Sequence, residues 1–173
     1  MEGNRYFNRW TFVSPEHETF QYDKRHLFSM GSEDKAFTKG EKRIVFSFKG
    51  ARICPNICYD LRFPVWSRNR NDYDILINSA CWPASRHQVW ITLLKARAIE
   101  NQCYVAASNR VGSDPDGLKY KGDSMLIDPR GNIISTPADD NECIVSGEIS
   151  LVELSDFRSK FSVLKDADQF TLI

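Results

Sequence analysis

Cys58 stands where a predicted strand over 51–58 stops, inside the string Ile57-Cys58-Tyr59-Asp60-Leu61-Arg62-Phe63-Pro64, and a short helix is expected from Pro64 towards Arg70. A thiol beside the leading N–H groups of a helix is pushed toward the nucleophilic thiolate, from about 8.5 to roughly 3.5–7.5 in favourable sites. The plainer reading is that cysteine is among the most buried residue types and most cysteines only pack. A second candidate group lies upstream. Tyr22-Asp23-Lys24-Arg25-His26-Leu27-Phe28 concentrates charge directly after a predicted strand. A lysine brought to such a thiol would stabilise both the thiolate and the oxyanion of a tetrahedral intermediate. A solvated charge cluster is the alternative. His26 suggests a Cys–His pair, but a single histidine has no specificity, and a hydrogen-bonded structural role is the stronger reading.

Such residues need elements that bring them together. Arg9 to Val13 and Thr19 to Asp23 read as short strands joined by Ser14-Pro15-Glu16-His17, which has turn composition. Ile44 to Phe48 and Ala51 to Cys58 form a further pair around Lys49-Gly50. Tyr73 to Ala80 and Cys103 to Ser108 are nearly continuous apolar runs, the pattern of strands covered on both faces. Between them the spacing predicts a helix opened by Ser85 and Gln88 as a capping box, with Val89, Leu93 and Ala96 on one side and Trp90 and Leu94 beside them. Ser124 to Asp128 and Asn132 to Thr136 flank the hairpin signal Pro129-Arg130-Gly131, Glu142 to Glu148 alternates like a half-buried strand, and Ser150 with Glu153 caps a last helix. Strand, helix and strand in the middle with hairpins outside give an α/β layered domain over residues 1–173.

Composition narrows the function classes. Twenty-three Lys plus Arg balance 23 Asp plus Glu, so no net field draws the chain to nucleic acid or to an anionic membrane. No apolar run approaches the roughly 20 residues of a membrane span, and the polar start lacks a signal-peptide core; a cytoplasmic location is the expectation. Five cysteines, Cys54, Cys58, Cys81, Cys103 and Cys143, are an odd number spread over predicted strands, which argues for reduced thiols. Cys54 and Cys58 have no second pair at zinc-ligand spacing.

A resemblance raises the candidates above their position alone. The strings Tyr22 to Phe28, Ile57 to Pro64, Arg97-Ala98-Ile99-Glu100-Asn101, Asn109-Arg110-Val111-Gly112 and Gly122-Asp123-Ser124 resemble, in order, successive motifs of the carbon-nitrogen hydrolase (nitrilase-like) family. Trp66-Ser67-Arg68-Asn69-Arg70-Asn71 and Trp82-Pro83-Ala84-Ser85-Arg86 look most like its ω-amidase branch, which hydrolyses 2-oxoglutaramate and 2-oxosuccinamate to the keto diacid and ammonia. The resemblance implies an αββα layered sandwich and a thiol-dependent amidase that needs no cofactor and no metal. It matches Cys58 to the acylated nucleophile, Lys24 to the oxyanion-stabilising lysine and Glu33 to the supporting acid. It also matches the Tyr59 N–H to an oxyanion donor and Trp82 to the pocket wall; a buried aromatic is otherwise usually core. A small-molecule amide is the expected partner, and a homo-oligomer is possible.

The similarity begins near Asn8, already inside the family pattern, and no segment matches the early loop that carries the family's general-base glutamate. The expectation is therefore a sandwich lacking its first strands and helices, and either an amidase or an inactive fragment or assembly subunit. Loss of a general acid-base group costs about 10²- to 10⁴-fold in rate.

Overall fold

The structure is a computed structural model and describes residues 3–137 and 141–171. Strands β1 (Arg9–Val13) and β2 (Thr19–Asp23) pair antiparallel, with Trp10 opposite Tyr22. Their turn is closed by Ser14, whose hydroxyl accepts from the N–H groups of Glu16 and Glu18. A one-turn helix α1 (Glu33–Ala36) follows. Then come β3 (Phe46–Phe48), β4 (Ala51–Ile57), a 3₁₀ turn over Cys58–Arg62 and the short helix α2 (Pro64–Ser67). Pro64 opens α2, where its missing N–H is not needed.

Strand β5 (Ile75–Ala80), helix α3 (His87–Asn101) and β6 (Tyr104–Asn109) make the expected parallel crossover unit. A small hairpin, β7 (Val111–Ser113) with β8 (Lys119–Lys121), precedes β9 (Met125–Ile127), and α4 (Leu151–Lys160) follows. The main sheet runs β3-β4-β5-β6-β9, parallel in its middle three strands and antiparallel at both edges. Leu76, Val105, Ala107, Met125 and Ile127 pack with Trp90, Leu94 and Ala98 of α3 into one core. The described residues thus form one helix-covered sheet of a layered α/β fold. The β1–β2 hairpin docks on the sheet edge through rings: Phe46 stacks on Phe20 at 4.4 Å and meets Phe12 at 5.0 Å.

Four local expectations are corrected. The start of α3 is not a Ser85 capping box; a 3₁₀ turn over Ala84–Arg86 runs directly into it, Arg86 is the N-cap and no side chain caps it. Pro83 shapes this entrance, its carbonyl accepting the Arg86 N–H at 3.0 Å. The buried side of α3 is Trp90, Leu94, Arg97, Ala98 and Asn101, with Val89 exposed. Asn132 to Thr136 contributes only a bridge between Ile133 and Ile127. Glu142 to Glu148 forms no strand, and Ile144 is 92% exposed; the segment meets Thr136 through the Thr136 N–H to the Ser146 carbonyl at 2.7 Å but buries none of its alternating side chains. The capped start of α4 is as expected, with the Ser150 hydroxyl accepting the Glu153 N–H.

Candidate active site

The backbone turns sharply where β4 ends. Cys58 adopts φ 46°, a left-handed conformation that costs a non-glycine residue about 1 kcal/mol or more. Asp60, fully buried, fixes that turn: it accepts the Ile57 N–H at 3.0 Å, the His26 N–H at 2.9 Å and the Tyr22 hydroxyl at 2.8 Å. Tyr22 accepts in turn from the Trp66 indole at 2.9 Å. Burial, and then the Asp60 charge, push the Tyr22 phenol well above its ordinary pKa, so it remains a donor. His26 Nδ1 lies 2.8 Å from Asp60, and the ring stacks on Phe63 with centroids 3.8 Å apart. His26 is therefore part of the Asp60 anchor and not the partner of Cys58.

Lys24 reaches the same region from the end of β2. Its backbone is held on both sides, its N–H donating to Asn8 and its carbonyl accepting from Gly40. Gly40 runs so close to β2 that a Cβ there would sit 2.0 Å from the Asp23 carbonyl oxygen. The Lys24 side chain is 4% exposed and its Nζ lies 2.6 Å from Glu33 Oε2. Glu33 also accepts from the Phe28 N–H at 2.7 Å and from the Asn8 amide at 2.8 Å. Burial opposes ionisation of Glu33, but the bonds from Lys24, Phe28 and Asn8 outweigh it and hold the carboxyl below its ordinary range.

Cys58, Lys24, Glu33, Tyr59 and Trp82 all line one cavity of about 560 Å³, a volume suited to a small metabolite. The structure thus brings together every sequence-derived site residue. Tyr59 is the second residue of the 3₁₀ turn, where leading N–H groups have no partner within the turn. The thiol is not pushed down as expected. Burial raises the Cys58 pKa, opposed by the nearby Lys24 charge and by the Cys81 carbonyl, which lies 3.9 Å from Sγ. A five-residue 3₁₀ turn supplies too little dipole to reverse that desolvation.

The remaining quoted strings hold these residues in place. Arg97, buried, donates to the Leu61 carbonyl at 2.6 Å, and the Asn101 side chain accepts the Asn69 N–H at 2.8 Å; both pin α3 to the segment after Cys58. Asn109 accepts the Trp82 N–H at 2.7 Å and donates to the carbonyls of Trp82 and Gly122, and the Trp82 indole donates to the Arg86 carbonyl at 2.9 Å.

Sequence reasoning assigned no role to Arg62 and Arg86, which line the cavity. Arg62 lies 4.9 Å over the Trp82 ring and Arg86 lies 5.9 Å from the Phe28 ring centroid. Among the described residues neither has a carboxylate partner, and Glu33 is the one carboxylate lining the cavity. The available signal for Arg62 was its place four residues past Cys58, on the same turn. No cluster of three metal-ligating side chains occurs among the described residues, nor a helix long and apolar enough to cross a membrane.

Residues 2–159 match the family model described as carbon-nitrogen hydrolase. The chain is 49% identical over 165 residues to the protein named omega-amidase YafV of Escherichia coli, covering 95% of this chain and 64% of that one. It is 40% identical over 148 residues to the 2-oxoglutaramate amidase of Bacillus subtilis, covering 84% of this chain and 56% of that one. The chain therefore spans less than two thirds of the length of these curated relatives. A CN-hydrolase superfamily protein of Xanthomonas campestris, solved with an arsenic adduct in its active site, superimposes with TM-score 0.95 at 41% identity, over all of this chain and 68% of that one.

Proposed function

Because the chain belongs to the carbon-nitrogen hydrolase family, we propose that its cavity is the site of a thiol amidase that opens the terminal carboxamide of a small carboxylate-bearing substrate, 2-oxoglutaramate or 2-oxosuccinamate. The observation that carries this reading is the convergence, in one cavity, of Cys58, the buried Lys24–Glu33 pair and two arginines that have no carboxylate partner among the described residues. In this account the Cys58 sulfur attacks the amide carbon, and the oxyanion that forms is met by Lys24 and by the Tyr59 N–H. Opposite charge is worth most where water is excluded, and Lys24 is nearly fully buried. Collapse of the tetrahedral intermediate releases ammonia and leaves a thioester on Cys58, which water then hydrolyses.

Glu33 acts in this reading as a positioning residue, fixing Lys24 through their 2.6 Å ion pair. Arg62 and Arg86 bind the carboxylate at the far end of the substrate, and Trp82 forms the wall between them and the thiol. Arginine suits this task because its planar fork binds a carboxylate at two points. The substrate class also rests on the relatives named as ω-amidase and 2-oxoglutaramate amidase. Cys54, Cys58, Cys81 and Cys103 as reduced thiols fit a reducing compartment, hence the cytoplasm, and association with a second copy of the chain belongs to the same proposal.

One observation favours a second reading, a chain that acylates slowly or not at all by itself and serves as an assembly subunit. The single carboxylate lining the cavity among the described residues, Glu33, is already bonded to Lys24, so it is poorly placed to activate the deacylating water. The readings separate on ammonia release from 2-oxoglutaramate by the purified chain. Turnover abolished by Cys58→Ala supports the amidase, and folded protein with no turnover supports the subunit.

A further inference from the structure

The cavity holds a second thiol that the amidase reading does not use. Cys81 is exposed and lines the cavity together with Cys58. In the parallel pairing of β4 with β5, Ile57 lies opposite Ser79. That is the last pair of the register; Cys58 follows directly on one strand, and Ala80 and then Cys81 follow on the other. Neighbouring strands lie about 4.8 Å apart, so residues just past the ends of such a pair start within the range of roughly 4.4–6.8 Å between Cα atoms that a disulfide bridges. Strand alternation alone would send the two side chains to opposite faces. The left-handed turn at Cys58, φ 46°, breaks that alternation and leaves its Sγ 3.9 Å from the carbonyl oxygen of Cys81.

The other cysteines are excluded by position. Cys54 and Cys103 are buried in the core, where burial first of all raises both thiols, Cys54 to about 12. Cys143 is exposed and lines a different cavity.

We propose that Cys81 is an oxidant-accessible partner of Cys58, and that a small hydroperoxide converts the pair to a reversible disulfide that closes the site. The Cys81 thiolate attacks the peroxide oxygen and breaks the O–O bond, giving a sulfenic acid; the expelled hydroxide or alkoxide takes up the proton that the thiol had released to solvent and leaves as water or the alcohol. The Cys58 sulfur then attacks the Cys81 sulfur and displaces hydroxide, which leaves as water with the Cys58 proton. The two thiols lose two electrons and the peroxide gains them. Formation of the bond does not depend on the amidase reading; only its effect on turnover does.

The test is peroxide treatment of the purified chain, read by peptide mass spectrometry and by ammonia release before and after dithiothreitol. Trypsin places Cys58 with Cys54 in the peptide 53–62 and Cys81 in the peptide 71–86; fragmentation between Cys54 and Cys58 identifies which is joined. The expected result is a 53–62/71–86 cross-link through Cys58 with a mass loss of about 2 Da, and a loss of turnover restored by dithiothreitol that is absent in Cys81→Ser. A Cys54–Cys58 bond, oxygen added to Cys58 without a cross-link, or a restorable loss that persists in Cys81→Ser overturns the proposal. If the reduced chain releases no ammonia, the amidase reading fails and the cross-link still decides this one.

Discussion

Lys24 Nζ lies 2.6 Å from Glu33 Oε2, and the same carboxylate is also tied to the Phe28 N–H and the Asn8 amide. Glu33 thereby controls where Lys24 points. Glu33→Gln keeps the shape but removes the charge that pairs with a buried ammonium, and should lower kcat by about 10- to 100-fold with a small change in KM. Steady-state kinetics on 2-oxoglutaramate measure this. A larger effect on KM than on kcat would show that Glu33 binds substrate instead.

The same residue gives a pH dependence whose sign is fixed. The folded-state pKa of Glu33 lies below its ordinary value, against the effect of burial, because of its three donors. Its contribution to stability is therefore complete above the ordinary glutamate pKa and is lost as pH falls through the depressed one. Urea midpoints should fall in acid for the wild type, and the gap to Glu33→Gln should narrow below about pH 4. A gap that stays constant down to pH 2.5 would contradict the assignment.

Burial raises the Cys58 thiol, and the Lys24 charge counters part of that rise. The rate of alkylation by iodoacetamide, followed against pH, should inflect above the ordinary cysteine range of about 8.5, and in Lys24→Met it should inflect higher still. An inflection near neutrality in the wild type would mean that the resting thiol is activated by something other than Lys24.

The parts of this arrangement differ in how far sequence showed them. The strands read well: both hairpins of the first half and the β5-α3-β6 crossover follow from aromatic and β-branched runs separated by turns. The start of α3 was misplaced because Ser85 and Gln88 have capping-box spacing, whereas Pro83 starts a 3₁₀ turn that takes Ser85 inside it. The β7–β8 hairpin was not found, because its strands are three residues each and its turn is held by the Asp114 carboxylate accepting from Asp116, Leu118 and Tyr120. Cys58 and Lys24 were legible as candidates from their places at strand ends, and the resemblance raised them above the plain packing and charge-cluster readings; Glu33 was legible only through the resemblance. Asp60 sat in plain view in the motif, but its role depends on contacts 34 and 38 residues away, to His26 and Tyr22, which no local pattern reports.

Asp60→Ala should be the most disruptive of the single changes at the site, since it leaves the N–H groups of Ile57 and His26 and the Tyr22 hydroxyl without their buried acceptor. A loss of about 3 kcal/mol or more is expected, with a lowered melting temperature. In contrast, Asn56 is fully buried and its carboxamide makes no hydrogen bond with any described group. Asn56→Leu, similar in volume, should raise stability by about 1–2 kcal/mol; a fall in the urea midpoint would show that the amide has a partner.

The two arginines carry the specificity claim. Arg62→Met and Arg86→Met should each raise KM for 2-oxoglutaramate about 10- to 100-fold while affecting a simple aliphatic amide far less. Equal losses on both substrates would remove the carboxylate from the account.

The most direct test of Cys58 as the acylated nucleophile is to mix the chain with 2-oxoglutaramate, quench in acid within the first turnovers, and locate the acyl group by peptide mass. A thioester on Cys58 in the peptide 53–62 is expected, accumulating if deacylation is slow, and absent from Cys58→Ala. Ammonia release with no adduct on Cys58, undiminished in Cys58→Ala, would contradict it.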